Sequence, residues 1–306
     1  MSPTAQGGPT RPVPRDVLVT GAGGFTGAAL VRHLLAQGHR VTAVIRSGRG
    51  RLGEAPSGVG QLRIVQADLS EDIQWPGSLD ALFHVAARSP TPGVSPADLV
   101  RDNVVATTHL VARASDAGAK LFVLFSSLSV YGEVATTVLD EETPICNPDT
   151  YGLTKLLCEG LLEAESSSMR SLALRLPGVI GAGSERNWLS RSLAAARRGE
   201  NIRIFNAEAP FNNAVHVQDL CSFTAGLLDQ SWVGYDLVTL GAAGQLPVEV
   251  VATLLANEAP GGSQVVIEKS SRMSYLISSA RAQTHYGYSP TQIDIMLRQF
   301  VRENCE

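Results

Sequence analysis

The chain has 306 residues, of which 44% are hydrophobic and 18% are charged, and its formal net charge is −4. That composition can bury a large core, and the length fits one α/β domain or a domain with a smaller lobe. The charge balance offers no basic surface for nucleic acid or an anionic membrane, and no apolar run approaches the length of a membrane span.

The N-terminal segment, residues 1–15, is rich in Pro, Gly and Thr and lacks the apolar stretch of a secretory signal. We expect it to be a flexible tail. The four cysteines (Cys146, Cys158, Cys221 and Cys305) are far apart and form no C-x-x-C pair. This spacing is typical of reduced thiols, so we expect a cytoplasmic protein without a metal site.

From residue 16 onward, apolar strands alternate with helical patterns. Strands are predicted at residues 16–20, 40–45, 62–67, 81–86, 120–125 and 171–176, and helices at 24–36, 97–117 and 149–166. Strands with little polar alternation, separated by helices, indicate a parallel sheet that is covered on both faces. Right-handed crossovers then give an α/β fold with a doubly wound sheet.

Beyond residue 178 the elements become shorter and Gly, Ser and Pro separate them. Helices are predicted near 186–198, 217–230, 247–258 and 290–303, with strands at 202–205 and 235–240. We expect residues 16–178 to form the main domain. Residues 179–306 should form a small C-terminal lobe, with some elements returning to the sheet.

The first strand runs into a glycine loop with the pattern G-x-x-G-x-x-G, formed by Gly21, Gly24 and Gly27, which also contains Phe25 and Thr26. Glycine permits a tight turn and lets backbone N–H groups approach a pyrophosphate at a helix N-terminus. Because the loop opens the first βα unit, it predicts a Rossmann-type sheet that binds NAD(P).

The end of the second strand suggests which nucleotide is preferred. A carboxylate usually binds the adenosine ribose there, but this chain has Ile45 followed by Arg46, with Arg49 and Arg51 nearby. A guanidinium suits a 2′-phosphate, so we expect NADP to be preferred over NAD by roughly tenfold or more. The alternative is that these arginines form a solvated loop.

The third strand ends at Asp68 and Leu69. Asp68 is a candidate acceptor for the adenine amino group, or the N-cap of the segment that follows.

Three residues form a candidate catalytic set. Ser127 follows the strand at 120–125, and Tyr151 and Lys155 are spaced i, i+4 on one helix face. Hydride transfer at a carbinol carbon requires a proton to move at its oxygen, which a tyrosine can supply. A nearby lysine cation, beside a positively charged nicotinamide, is expected to lower the pKa of the phenol toward ~7, and Ser127 to hydrogen-bond the same substrate oxygen.

Taken together, the motifs resemble the extended short-chain dehydrogenase/reductases, the family of NAD-dependent epimerases and dehydratases. The resemblance spans about residues 16–303 and is carried by TGAGGFTG (20–27), Asp68-Leu69, HVAA (84–87), Asn103, SSLSVYG (126–132), YGLTK (151–155), LRLPGVIG (174–181) and VHVQDL (215–220).

The resemblance implies roles for the matching residues. Ser127 and Tyr151 would bind the reacting oxygen, with Tyr151 as the acid–base, while Lys155 would hold the nicotinamide ribose. The cofactor would contact Gly21, Gly24, Phe25, Thr26, Gly27, Val85, Ala86, Asn103 and Pro177.

The sequence departs from the family pattern on the substrate side. The arginine that grips a diphosphate before the VHV stretch is missing, since Asn212 and Asn213 stand there, and Gly178 replaces a common asparagine. These losses argue against a nucleotide-diphosphate substrate unless other residues substitute for them. The candidates are Arg186, Asn187, Arg203 and Arg272.

Two further positions bear on the reaction and the substrate. Leu128-Ser129 stands where dehydratases have Asp-Glu, which disfavours dehydration. His216 lies in a matched motif and has a structural role or a substrate contact.

Three functions remain open. The favoured one is a reductase that delivers hydride from NADPH to a ketone of a sugar, with or without an attached nucleotide, or of a similar polar substrate. The second is an NAD-dependent sugar-nucleotide 4-epimerase. The third is a non-catalytic NAD(P)-binding regulator.

The resemblance also implies a homodimer through the helices at 97–117 and 149–166. Leu99, Leu110 and Leu161 would lie in that interface or face the sheet.

Overall fold

A computed structural model describes residues 13–53, 60–71, 77–258, 262–269 and 273–305. Of the expected tail, residues 1–12 lie outside the described part, as does Arg272. The strands are β1 (Asp16–Thr20), β2 (Arg40–Ile45), β3 (Gln61–Gln66), β4 (Ala81–His84), β5 (Leu121–Ser127), β6 (Val138–Leu139), β7 (Arg170–Leu176), β8 (Gly178–Ile180), β9 (Ile202–Ile204), β10 (Pro210–Phe211), β11 (Ala214–His216), β12 (Tyr235–Thr239), β13 (Leu246–Pro247), β14 (Val265–Ile267) and β15 (Leu276–Ile277).

Helices connect these strands. They are α1 (Phe25–Ala36), α2 (Pro96–Leu99), α3 (Ala106–Asp116), α4 (Thr150–Ala164), α5 (Trp188–Arg197), α6 (Val217–Gly226), α7 (Val248–Glu258), α8 (Ala280–Tyr286) and α9 (Ile293–Cys305), with short 3-10 turns at Gly50–Leu52, Leu128–Tyr131 and Leu227–Asp229. None of the helices in the described part of the chain combines the length and apolar character needed to cross a membrane.

Seven parallel strands form the central sheet, in the order β12-β7-β5-β4-β1-β2-β3. The chain moves outward from β1 through β2 to β3 and then returns to β4 on the other side of β1. In open α/β sheets, ligands bind at this reversal, outside the carboxyl ends of the strands. The predicted Rossmann-type, doubly wound sheet is confirmed.

The helix predicted at 97–117 is interrupted. Between α2 and α3 the segment Val100–Val105 is a π-helix, while Ser95 caps the start of α2 through a reciprocal capping box with Asp98. The π-turn turns Asp102 and Asn103 inward, and both are buried. Such wide turns often occur at functional sites, and hydrophobic spacing in the sequence does not reveal them.

The C-terminal part has a core of its own. One buried cluster is built only from residues between Ile180 and Val301, and it packs α5, α7 and α9 together. The strand at Tyr235–Thr239 instead pairs with β7 and completes the central sheet. Several elements escaped sequence analysis, because strands of two or three residues, such as β8 and β10, are too short to carry periodicity.

The two helices expected to form a dimer interface pack against each other within one chain. Leu99 and Leu110 are 4% and 1% exposed, so they lie in the core and cannot contact a partner. The apolar residues that these helices do expose include Val100, Leu153 and Leu157.

Candidate active site

A cleft of about 920 Å³ lies over the reversal point of the sheet. Its wall contains most of the predicted site residues, namely Gly21, Gly24, Phe25, Thr26, Gly27, Arg46, Leu69, Val85, Ala86, Ser127, Tyr151, Pro177 and Asn187. Asp68, Asn103 and Lys155 are not part of this wall. The buried side chains of Asn103 and Lys155 act from behind it.

The glycine loop needs its glycines for two separate reasons. Gly21 has a φ of +64°, and a Cβ there would lie 2.7 Å from the backbone nitrogen of Ala86. A Cβ on Gly27 would lie 2.3 Å from the carbonyl oxygen of Gly21. Only glycine fits both positions, so the loop turns tightly and leaves the N-terminus of α1 open to the cleft.

Ser127 and Tyr151 meet at the carboxyl end of β5. Ser127 Oγ accepts a hydrogen bond from the backbone of Ser129 at 3.1 Å, which fixes the start of the following 3-10 turn. Asp149 caps α4 by accepting from Gly152 N at 2.7 Å, and so sets where Tyr151 leaves the helix.

Burial raises the pKa of Tyr151 to about 12, and the hydrogen bond with Ser127 lowers it by less. Burial thus outweighs the stabilising contacts that the chain itself provides. The lowering of this pKa by Lys155 together with a charged nicotinamide stays a prediction. The phenol is held protonated at neutral pH. Lys155 itself is 1% exposed, and burial lowers its pKa.

A buried chain of hydrogen bonds links the glycine loop to the helix at Asn103. Thr20 Oγ1 accepts from the backbone nitrogen of Ala86 at 3.1 Å and lies 2.8 Å from His84 Nδ1. His84 Nε2 lies 3.1 Å from Thr107 Oγ1, which donates to the carbonyl of Asn103 at 2.7 Å. Burial lowers the pKa of His84 to about 3, so its neutral ring accepts at one nitrogen and donates at the other.

The carboxamide of Asn103 holds the loop after β4. Its Oδ1 accepts from Arg88 N at 2.7 Å, and its Nδ2 donates to Arg88 O and to Thr154 Oγ1, both at 3.1 Å. Asn103 was predicted to lie near the cofactor. Its hydrogen bonds fix the backbone that carries Arg88 and tie that loop to α4, the helix of Tyr151, and its position near a cofactor stays a prediction.

A buried ion pair supports α4, the helix that carries Tyr151. Arg175 on β7 contacts Glu159 on α4 at 2.8 Å, and the two side chains are 5% and 4% exposed. Ser126 donates to the same carboxylate, and the Arg175 guanidinium lies 4.7 Å from the centre of the Tyr131 ring. The sequence hinted at this pair, because Glu159 continues the i, i+4 series of Tyr151 and Lys155.

The three arginines after β2 have different environments. Arg46 lines the cleft and contacts Asp102 at 3.0 Å. Arg51 pairs with Glu185 across the cleft, and its guanidinium lies 5.9 Å from the centre of the Phe25 ring. Arg49 is exposed. Arg46 is thus the one among them that faces the cleft beside a buried carboxylate.

Asp68, which follows β3, has its hydrogen-bond partner two residues later in the chain. Its Oδ1 accepts from both the backbone and the hydroxyl of Ser70, and these hydrogen bonds lower its pKa.

The substrate side contains the candidates that were expected to replace the missing residues. Asn187 caps α5 by accepting from Ser190 N at 2.8 Å and donates to Val179 O at 3.0 Å. Its Cβ lies 2.7 Å from where a Cβ on Gly178 would be, so Asn187 fills the space of the missing side chain. Arg186 lines the cleft, whereas Arg203 is the exposed residue of β9 and pairs with Glu268.

Asn212 and His216 are structural. Asn212 bonds both the nitrogen and the oxygen of Ile277, each at 2.8 Å. His216 caps α6 and lies 3.1 Å from Glu303. Within the described ranges, no group of three or more His, Cys, Asp or Glu side chains could hold a metal ion.

The chain is similar to known proteins in sequence and in fold. The model of the NAD dependent epimerase/dehydratase family matches residues 17–237. The UDP-glucose 4-epimerase of Corynebacterium glutamicum is 24% identical over 306 residues, covering 91% of this chain and 92% of that protein. The dTDP-4-dehydro-6-deoxy-D-allose reductase of Streptomyces bikiniensis is 27% identical over 237 residues, covering 70% and 73%.

Among solved structures, MoeE5 in complex with UDP-glucuronic acid and NAD superposes with a TM-score of 0.78 at 28% identity. The match covers 94% of this chain and 98% of that chain.

The buried ion pair gives a stability prediction. Glu159→Gln leaves the Arg175 charge buried without its counter-ion, which typically costs about 3–5 kcal/mol. We expect the free energy of unfolding in urea to fall by that order. The exposed pair of Arg198 with Glu200 provides the matched control, since Glu200→Gln should leave unfolding unchanged. Equal effects of the two substitutions would contradict the role of the buried pair.

Proposed function

The chain belongs to the NAD-dependent epimerase/dehydratase family, and from that premise we propose that it is an NADPH-dependent ketoreductase acting on a sugar or a similar polar carbonyl compound. It is an enzyme of the extended short-chain dehydrogenase/reductase type. The observation that carries the proposal is the placement of Ser127, Tyr151 and Arg46 on the wall of one cleft that the glycine loop enters.

The Tyr151 phenol is protonated at neutral pH and so carries the proton that a reduction needs. In a reduction, Tyr151 donates to the carbonyl oxygen as that oxygen becomes an alkoxide, and Ser127 holds the same oxygen in place. Positioned general acids contribute typically ~10²–10⁴-fold to the rate. Lys155, buried one helical turn after Tyr151, places a positive charge beneath the site that favours the transient phenolate.

The cleft fits a dinucleotide at the positions that the chain itself provides. The close approaches at Gly21 and Gly27 leave backbone donors free of side chains at the start of α1. Val85, Ala86 and Pro177 would line the cofactor, while Asp68 and Asn103 would shape the adenosine end. The nicotinamide would supply the hydride. MoeE5, solved in complex with NAD, supports binding of a nicotinamide nucleotide, and Arg46 supports the phosphorylated form.

For the substrate, we propose a polar carbonyl compound that reaches Ser127 past Arg186 and Asn187. The reductase among the relatives acts on a nucleotide-linked keto sugar by its name, which supports this class. Because Asn212 is fully used inside the protein, the chain would need Arg186 or the backbone at α5 to hold a diphosphate.

An epimerase is the second candidate. The relative that aligns with 91% of this chain is named as a UDP-glucose 4-epimerase. Such an enzyme removes and returns hydride at one carbon, so it must keep its NAD bound. Because Arg46 on the cleft wall favours a phosphorylated nucleotide, a reduction with NADPH is the better-supported function. A purely regulatory protein is disfavoured, because the catalytic set is intact.

We also propose a homodimer in the cytoplasm, with α4 and the helices from Pro96 to Asp116 as the interface. The exposed apolar side chains of this face are Val100, Val105, Leu153 and Leu157, at 44%, 36%, 47% and 56% exposure. A two-fold axis would bring this face against its own copy, as a symmetric dimer requires. The half-buried Leu161 lies on the same helix.

The first prediction concerns the proton donor. Tyr151→Phe should lower turnover by about 10²-fold or more while keeping nucleotide affinity within a few-fold, because only the acidic proton is lost. Ketone-dependent NADPH oxidation and nucleotide titration measure the two effects. Tyr235→Phe removes a buried hydroxyl away from the cleft wall and should keep wild-type turnover. Activity of Tyr151→Phe within tenfold of wild type would refute the assignment.

A second prediction concerns the nucleotide. Arg46→Asp removes one charged hydrogen bond to a 2′-phosphate, worth ~1.5–3 kcal/mol, which is roughly ten- to a hundredfold in affinity. NADPH should therefore bind more weakly while NADH does not. Arg49→Asp makes the same charge change in the same loop and should leave the preference intact. An Arg46→Asp protein that still prefers NADPH would show that Arg46 does not bind the phosphate.

The third prediction concerns assembly. Leu157→Glu puts a charge in the proposed interface, so light scattering at micromolar concentration should find a monomer where wild type is a dimer. Ile295→Glu changes a similarly exposed residue on α9, at 53% exposure, and should remain dimeric. A wild-type monomer would contradict the proposed interface.

A further inference from the structure

The adenosine end of the cleft contains a buried carboxylate that the sequence motifs did not identify. Asp102 lines the cleft, yet its side chain is 0% exposed. It reaches this position because the π-turn at Val100–Val105 turns it inward beside Asn103. Among the described residues, its Oδ2 atom has no hydrogen-bond partner, although cations lie beside it.

Three arginines converge on this carboxylate from different parts of the chain. Arg46, after β2, contacts Oδ2 at 3.0 Å, and Arg88, after β4, contacts it at 3.6 Å. Arg101 donates from Nε to Oδ1 at 2.8 Å and also pairs with Asp98 at 3.3 Å. Arg46 and Arg88 keep 48% and 39% of their side chains exposed, and both line the cleft.

This arrangement changes what Arg46 can do. A guanidinium next to a buried carboxylate is already partnered, and the attraction is strong because the carboxylate has little water around it. A 2′-phosphate that approaches Arg46 must therefore compete with Asp102 and is repelled by it. A 2′-hydroxyl carries no charge, so NADH meets no such repulsion.

We propose that Asp102 is the residue that sets cofactor specificity, acting as the built-in counter-ion of Arg46 and Arg88 and keeping the preference for NADPH small. Asp102 would take the place of the carboxylate that is absent at the end of β2, although it lies on the π-turn at Val100–Val105 and not on β2. The proposal rests on the proposed function, because it assumes that this end of the cleft receives the adenosine of a nicotinamide nucleotide.

The test is Asp102→Asn, which keeps an oxygen for Arg101 and removes the negative charge. The dissociation constants of NADPH and NADH are measured by fluorescence titration of the full chain. The affinity ratio in favour of NADPH should rise about tenfold or more, almost entirely through tighter NADPH binding. Asp116→Asn makes the same charge change at the far end of α3 and should leave the ratio unchanged.

Two further variants separate a direct effect from a structural one. In an Arg46→Met background, adding Asp102→Asn should change the ratio far less than in wild type, because the released cation is missing. Asp102→Ser provides a second removal of the charge if the asparagine variant folds poorly, and thermal melting checks both.

If the wild-type protein binds both nucleotides and the Asp102 variants leave the affinity ratio in favour of NADPH unchanged or lower it, the role of Asp102 is wrong while the proposed function stands. A wild type that binds neither nucleotide would overturn the proposed function as well.

Discussion

The geometry of the cleft depends on the carboxamide of Asn103, which joins three parts of the chain that are distant in sequence. It binds both backbone groups of Arg88 and donates to Thr154 on α4, while its own carbonyl ends the hydrogen-bond chain from Thr20 and His84. A buried network with every member satisfied is rigid, because each unpaired group would cost the full desolvation penalty. These hydrogen bonds therefore hold the glycine loop, the loop that carries Arg88 and the helix that carries Tyr151 in one arrangement.

The π-turn makes that arrangement possible and also determines the charge at the end of the cleft that Arg46 and Arg88 line. By turning two consecutive residues inward, it places Asn103 in the network and Asp102 against three arginines. At the opposite end of the cleft, Glu159 and Arg175 support the helix that carries Tyr151. Both buried carboxylates are therefore paired, as the low dielectric of the interior requires.

Sequence patterns predicted the parts of the molecule that depend on local periodicity. The strands at 16–20 and 40–45 and the glycine loop are where they were expected, since continuous apolar runs and glycine spacing are read directly from the chain. Sequence could not predict the π-turn, because one extra residue in a helical turn leaves the apolar spacing almost intact. It left open whether Leu99 and Leu110 face the sheet, and the structure buries both. It missed Asp102, whose partners Arg46 and Arg88 come from loops far apart. The burial of Tyr151, which raises its pKa, is likewise a tertiary property that the sequence does not show.

If this cleft performs a reduction with an exchangeable nucleotide, the nucleotide content of the purified protein shows it most directly. The protein is denatured, and any released nucleotide is identified and compared with the protein concentration. We expect little retained nucleotide and a purified protein that takes up NADPH on titration. Stoichiometric NAD that is released only by denaturation would contradict it and would identify an epimerase, which must hold its cofactor through both hydride transfers.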